Sequence, residues 1–305
     1  VGKGWAVFFG VILTATFLIW LAAPAMGWWL PDNIASFGYE VDNLFYIILV
    51  ITGFFFVLTE ALLVYCMWKY AYRPGAKADY VEGNNRLEML WTAVPAAILL
   101  FISFAQIGAW ERIKYATRMP PPHQVVQVTA RQWEWRLRYP HDDRFNAARA
   151  DAAEAARIND ASRRWGEVPS FDDVHTTNEL HTWKGAKVKI YLKTVDVLHS
   201  FGIPNLRLMQ DALPGKTIPM WFEATEANTK KIPADPITKT IDTWVIPDPK
   251  RAWEIACKEL CGNGHYRMRG LLYVHETEAD YKDWLKHQLE LQRSHKAEES
   301  LVISH

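Results

Sequence analysis

Three stretches of this chain, Gly4 to Ala23, Leu44 to Trp68 and Met89 to Trp110, are long and apolar. Each reaches the roughly twenty residues that a helix rising about 1.5 Å per residue needs to cross a hydrocarbon core about 30 Å thick. Trp28, Trp29, Trp68, Trp91 and Trp110 fall near their ends, where amphipathic rings anchor at a membrane surface. The pattern predicts three transmembrane helices. The first has a second reading as a secretory signal, because Ala23 and Ala25 offer a small-residue cleavage pattern.

The connection after Trp68 carries Lys69, Arg73, Lys77 and Arg86, whereas the one after Ala23 carries Asp32, Glu40 and Asp42 and no Lys or Arg. Basic loops stay on the cytoplasmic side. The second connection is therefore expected inside and everything after Trp110 outside, in the periplasm if the membrane is a bacterial inner membrane. The 34 basic and 34 acidic side chains cancel, so no global field gathers nucleic acid, and none is expected as a partner.

The polar remainder opens on the stiff Met119-Pro120-Pro121-Pro122 segment and then alternates apolar and polar residues as strands do. Strand runs are expected at Val125 to Tyr139, Ala186 to Leu192, Ile218 to Ala224 and Gly270 to Val274, which predicts an all-β sandwich or barrel. Alternation along the first run puts Trp133 and Trp135 on one face. An Ala-, Asp- and Arg-rich insertion at 141–165 reads as solvated helix. Thr277-x-x-Asp280, followed by Tyr281, Trp284, Leu285 and Leu289, reads as a capped C-terminal helix. The organisation expected is thus 1–43 for the first helix and an outside loop, 44–118 for a helix hairpin, 119–276 for the β domain and 277–305 for helix and tail.

Chemistry concentrates between Cys257 and Met268. Cys257, Cys261, His265 and Met268 supply two thiols, an imidazole and a thioether, soft and borderline ligands that copper favours over zinc. Three residues between the cysteines let both sulfurs face one locus, where they can bridge two metal ions. Such a site needs a ligand from another loop, and His199 follows a strand-like run. The plain alternative for the cysteines is a disulfide.

Asp196-Val197-Leu198-His199-Ser200-Phe201, Asp211-Ala212-Leu213-Pro214-Gly215 and C-x-E-x-C-G-x-x-H-x-x-M from Cys257 to Met268 resemble subunit II of the haem–copper cytochrome c oxidases. Leu87-Glu88-Met89-Leu90-Trp91-Thr92-Ala93-Val94-Pro95 resembles the start of that family's last membrane helix, and Gln132-Trp133-Glu134-Trp135 its Q-W-x-W strand. The resemblance implies a cupredoxin-like Greek-key β-barrel on a membrane-helix hairpin. It implies that Cys257 and Cys261 bridge the dinuclear copper centre CuA, with His199 and His265 as imidazole ligands, Met268 as a weak axial ligand and Glu259 binding through its backbone carbonyl. The Glu259 side chain would reach a magnesium ion shared with the catalytic subunit. Trp133 would receive the electron, and Glu88 would stand at the mouth of a proton path. The implied activity is electron input to a respiratory terminal oxidase. Electrons come from cytochrome c or a cytochrome c domain and pass to haem in subunit I, which reduces oxygen to water and pumps protons alongside other oxidase subunits in membrane lipid.

Two other functions fit parts of the pattern: a CuA subunit of a nitric or nitrous oxide reductase, and a membrane-anchored copper chaperone or thiol–disulfide protein. The absence of C-x-x-C-H means that no covalent haem is expected on this chain. Several features depart from the family pattern: the first helix, the insertion, the stretch from Ala224 to Arg251, and the positive Lys258, Arg267 and Arg269 beside the cysteine loop. Glu60 within the second apolar segment has no family role, Cys66 is expected to be a buried structural thiol, and the histidines outside the motifs, His181 and His275 among them, are expected at the surface.

Overall fold

In the computed structural model the described residues are 3–77, 80, 82–140, 173–235, 237 and 241–303. The insertion expected at 141–165 lies outside them. The chain forms two compact units, one of Val1–Pro31 with Glu40–Trp110 and one of Asp32–Tyr39 with Glu111–His305.

The first unit is helical. Helices α1 (Lys3–Ala22), α2 (Gly38–Lys69) and α3 (Asn85–Ala105) are followed by the short α4 (Ile107–Lys114), which runs into the second unit. Among the described residues, three helical spans are long and apolar enough to cross a membrane, the third running through α3 and α4. Four of their hydroxyls are satisfied within the helix that carries them: Thr14, Thr52, Thr59 and Ser103 donate to the carbonyls of Gly10, Ile48, Phe55 and Leu99 at 2.8–2.9 Å. That is how a polar side chain avoids an unmet bond in lipid. Small residues bring α1 against α2, since a Cβ on Gly53 would lie 3.5 Å from the Trp20 ring and one on Gly10 would lie 3.6 Å from Val64. The Asn84 side chain caps α3 by accepting from the backbone N–H groups of Arg86 and Leu87. Cys66, expected to be buried, is exposed on α2: on an isolated membrane helix most positions face outward whatever their polarity.

The second unit is a β-sandwich of cupredoxin-like type. One five-stranded sheet has the order β3-β2-β1-β5-β8, from strands Gln124–Arg131 (β1), Glu134–Tyr139 (β2), Val174–Thr177 (β3), Lys187–Thr194 (β5) and Ile218–Glu223 (β8). The other has the order β4-β12-β11-β6-β7, from Glu179–Trp183 (β4), His199–Ile203 (β6), Leu208–Ala212 (β7), Trp253–Cys257 (β11) and Arg269–His275 (β12). The pairs β1–β5 and β4–β12 are parallel and the remaining neighbours antiparallel. Val126, Val128, Leu137, Val188, Ile190, Leu192, Phe201, Phe222, Ile255 and Leu272 fill the core with almost no exposure.

The run from Val125 to Tyr139 is not one strand. It is a hairpin, with β1 and β2 paired from Gln127 opposite Arg138 to Arg131 opposite Glu134. Gln132 and Trp133 form its two-residue turn, so alternation does not relate Trp133 to Trp135. Trp135 is fully buried against Phe201, and Trp133 stands half-buried at the turn.

Residues between α1 and α2 also join this core. Ile34 and Phe37 are buried, Thr225 N–H donates to Ile34 O at 2.8 Å, and the Phe37 ring meets Trp221 edge-on. Part of the 224–251 stretch forms a small ribbon of β9 (Lys230–Ile232) and β10 (Thr243–Val245).

Helix α5 (Glu278–Ile303) starts at a reciprocal cap between Thr277 and Asp280 and buries Tyr281, Trp284 and Leu289. Beneath it lie His181 and His275, which are buried rather than at the surface. The His181 ring stacks on Trp284 at 3.8 Å and on Tyr273 at 4.3 Å, and its Nδ1 is 3.2 Å from His275 Nε2. One shared N–H and two aromatic faces are what let imidazoles occupy a core.

Candidate metal centre

The site is assembled at one end of the sheet that contains β6 and β11. These strands pair antiparallel, with Cys257 opposite Phe201, so His199 at the start of β6 and Cys257 at the end of β11 come together. Beyond Cys257 the chain leaves the sheet, and Lys258 N–H donates to Ser200 O at 2.9 Å. It folds through Cys261 and a short 3-10 turn at His265–Arg267, then returns as β12. Gly262 has φ +114°, a conformation that side-chain-bearing residues rarely adopt, and a Cβ on Gly264 would collide with the Trp133 ring. The two glycines thus let the loop pass under Trp133.

The donor atoms converge. Cys257 Sγ lies 3.8 Å from Cys261 Sγ, and both thiols are free, so the sulfurs are not joined to each other. His199 Nδ1 is 3.9 Å from Cys257 Sγ, and His265 Nδ1 is 3.6 Å from Cys261 Sγ. Met268 Sδ is 3.8 Å from Cys261 Sγ, and the Glu259 carbonyl oxygen is 3.2 Å from Cys257 Sγ. His199, Cys257 and Cys261 form a buried group whose ligand atoms all lie within 4.8 Å of one another. His265 is outside that group, beside the second sulfur, so each sulfur has its own imidazole.

The electrostatics favour one thiolate held between donors. Burial pushes the Cys257 thiol up, but bonding to His199, to the backbone at Ser200 and Glu259 and to His265 outweighs it and brings the group down to about 6. Cys261 moves the other way, to about 12, because it is buried and faces the Cys257 charge. Two adjacent thiols do not both ionise without a cation between them.

Two residues given no role from the sequence hold this cluster. Asp196 Oδ1 is 2.8 Å from His199 Nε2, while its other oxygen accepts from Gln132 N–H at 2.7 Å. Gln132 Nε2 and Trp133 Nε1 both donate to the Cys261 carbonyl, at 2.8 and 3.2 Å. The Q-W turn is thus tied to both ligand loops. The signal for Asp196 was its i, i+3 spacing to His199; Gln132 stands first in the Q-W-x-W motif, which carried no role for its side chain. Trp133 is at the site by this bond, the Glu259 side chain is exposed, and Glu88 belongs to the helical unit, exposed in the first turn of α3.

Residues 23–107 match the family profile "Cytochrome C oxidase subunit II, transmembrane domain", and residues 124–230 match "Cytochrome C oxidase subunit II, periplasmic domain". The chain belongs to the cytochrome c oxidase subunit II family. The alternative cytochrome c oxidase subunit 2 of Bradyrhizobium diazoefficiens is 28% identical over 263 residues, 86% of this chain and 84% of that protein. Cytochrome c oxidase subunit 2 of Thermostichus vulcanus is 26% identical over 278 residues, 84% of this chain and 77% of its own length. That of Synechocystis is 25% identical over 273 residues, covering 84% and 74%. Like other subunit II chains this one is an electron-transfer subunit, with membrane helices and a periplasmic-type domain. The profile matches account for the helices from residue 23 and most of the sandwich. Helix α1 precedes them, and the cysteine loop follows their end at residue 230, so its reading rests on the donor atoms themselves.

Proposed function

We propose that the cluster holds the dinuclear copper centre CuA and that the subunit takes single electrons from a c-type cytochrome at the outer face of a bacterial inner membrane. The observation that carries this is the pair of unjoined sulfurs 3.8 Å apart, each with an imidazole beside it. The donor set fits: two sulfurs, two imidazole nitrogens, a thioether and a carbonyl are the mixed soft and borderline donors copper takes. A copper pair held by these residues would supply one-electron transfer with the charge spread over metal and sulfur, so gain or loss of an electron would change the geometry little.

The chain's own residues prepare this. Asp196 takes the Nε2–H of His199 and turns Nδ1 toward Cys257, which fixes the ligating tautomer. Burial of Cys257, Cys261, Met268 and His199 keeps water out. Trp133 is the electron-input residue: its ring is bonded to the Cys261 carbonyl and reaches the surface. The partner is a haem-containing subunit I, where oxygen is reduced and protons are pumped. The exposed Glu259 side chain is available to a magnesium ion at that interface, and Glu88 serves the proton path. The match of the helical unit to the oxidase transmembrane profile favours this over a copper chaperone.

Copper analysis and visible spectroscopy of the purified full chain test the reading. Two coppers per chain with a mixed-valence thiolate spectrum are expected; one labile copper, or a Cys257–Cys261 disulfide that persists in the copper-loaded protein, overturns it.

A further inference from the structure

The surface above the cysteine loop has a distinct charge arrangement. The Arg267 guanidinium lies 5.3 Å from the centre of the Trp133 ring. Arg267 is exposed and makes no ion pair among the described residues, so its charge rests on an aromatic face and open solvent. Among the described residues, three carboxylates of this region are engaged elsewhere. Asp196 is held by His199, Gln132 N–H and Val197 N–H, Glu134 by Arg136 at 2.7 Å and Arg131 at 3.8 Å, and Glu254 by Arg269 at 2.9 Å. Exposed Lys258 and Glu259 carry opposite charges on the same loop, so together they add no net charge to that of Arg267. The cysteine loop and the loop that carries Asp196 also expose large apolar side chains: Leu260 is 77% exposed, Tyr266 76% and Val195 65%.

A small apolar centre with one arginine is how a transient electron-transfer contact is built. Covering a guanidinium with a partner removes its water, and that is tolerated where the partner returns a carboxylate, which meets the planar fork with two parallel bonds. A partner presenting lysines would set like charges together, at a cost in both association rate and affinity.

Resting on the copper reading above, we propose that this surface takes a donor whose cofactor edge is rimmed by carboxylates, and that Arg267, stacked on Trp133, is the specificity-determining cation on which it lands. This inverts the pairing in which an acidic oxidase face draws a basic cytochrome c. The donor class is therefore an acidic single-electron carrier, and Arg267 connects its recognition to the indole through which the electron passes.

The test uses the intact oxidase complex and two forms of one soluble cytochrome c, native with its basic haem edge and succinylated so that its lysines carry carboxylates. Stopped-flow reduction is followed from about 10 to 200 mM ionic strength, a range over which exposed charges pass from weakly to strongly screened. The succinylated donor is expected to react faster at low salt and to slow, about tenfold or more, as salt rises. Arg267→Gln should remove most of that dependence and Arg267→Glu should reverse it, with the copper spectrum reporting that the centre survives in each. A native donor that is the faster one at low salt and is slowed by salt overturns the proposal, as does an Arg267→Glu complex with an unchanged preference. Ascorbate, which needs no docking face, separates the two levels. Bleaching by ascorbate without the expected salt dependence refutes the acidic donor alone, while absence of any copper signature removes the underlying reading as well.

Discussion

Asp196 and His199 face each other at 2.8 Å, carboxylate oxygen to imidazole Nε2, and this contact decides which nitrogen of His199 points at the sulfurs. Burial pushes the Asp196 carboxyl up, but its bonds to His199, Gln132 N–H and Val197 N–H outweigh that and hold it below the ordinary range. It is therefore ionised at neutral pH.

Asp196→Ala is expected to weaken copper retention about 10–100-fold, the usual loss when a ligating histidine is deprived of its outer partner. Competition against a chelator, followed by the visible spectrum, measures this. Wild-type retention in the variant would show that the ring is fixed by packing against Trp135 instead.

Gly264→Ala should cost about 1–3 kcal/mol, because the added methyl has the Trp133 ring in its way and the loop is pinned by Cys261 and Met268. The double variant with Trp133→Ala should regain most of that loss in a mutant cycle read by unfolding midpoints. An equal cost in both backgrounds would mean that the strain lies in the loop backbone and not against the indole.

His181 and His275 predict acid sensitivity in the docking of α5. Burial depresses both, and His275, which also faces His181, is pushed down to about 3. Such groups are neutral in the fold yet protonate on unfolding below about 6.5. The His275 contribution is thus complete above that pH and is lost progressively as pH falls toward 3, by up to about 1.4 kcal/mol per pH unit, and His181 acts in the same direction. Hydrogen exchange of the α5 amides, corrected for intrinsic rates, should show weaker protection at pH 5 than at pH 7. His275→Gln should flatten the trend, and pH-independent protection in the native chain would contradict it.

Arg138 and Asp173 form a buried pair at 3.1 Å, with side chains 6% and 2% exposed. Asp173→Asn should cost about 3–5 kcal/mol by removing the carboxylate charge that faces a buried guanidinium, whereas Arg138→Met combined with Asp173→Leu should recover most of it. Thermal unfolding of the three variants decides; equal losses in all would indicate that volume rather than charge governs the site.

Much of this protein is written in local pattern. Apolar length alone specified the three helices, because a bilayer demands unbroken runs, and period-two alternation located β1, β2, β5, β8 and β12 of the sandwich but not β3, β4, β6, β7 and β11. Ligand chemistry at Cys257, Cys261, His265 and Met268 was legible because one short loop carries those residues. The hairpin turn at Gln132–Trp133 was not, since an apolar run reads alike whether it continues or folds back. Nor were the burial of His181 and His275, which depends on Trp284 and Tyr273 arriving from distant elements, and the contribution of Ile34 and Phe37 to the β core.

The chain's residue types, read in order, determined membrane attachment, the β class and the presence of soft metal donors. Only the tertiary structure decided that each sulfur has its own imidazole, that Asp196 turns His199, and that Arg267 covers Trp133. The physical reason is range: helix length and strand alternation are properties of neighbouring residues, whereas donor convergence depends on β6, β11 and the β1–β2 turn meeting from positions 58 to 129 residues apart.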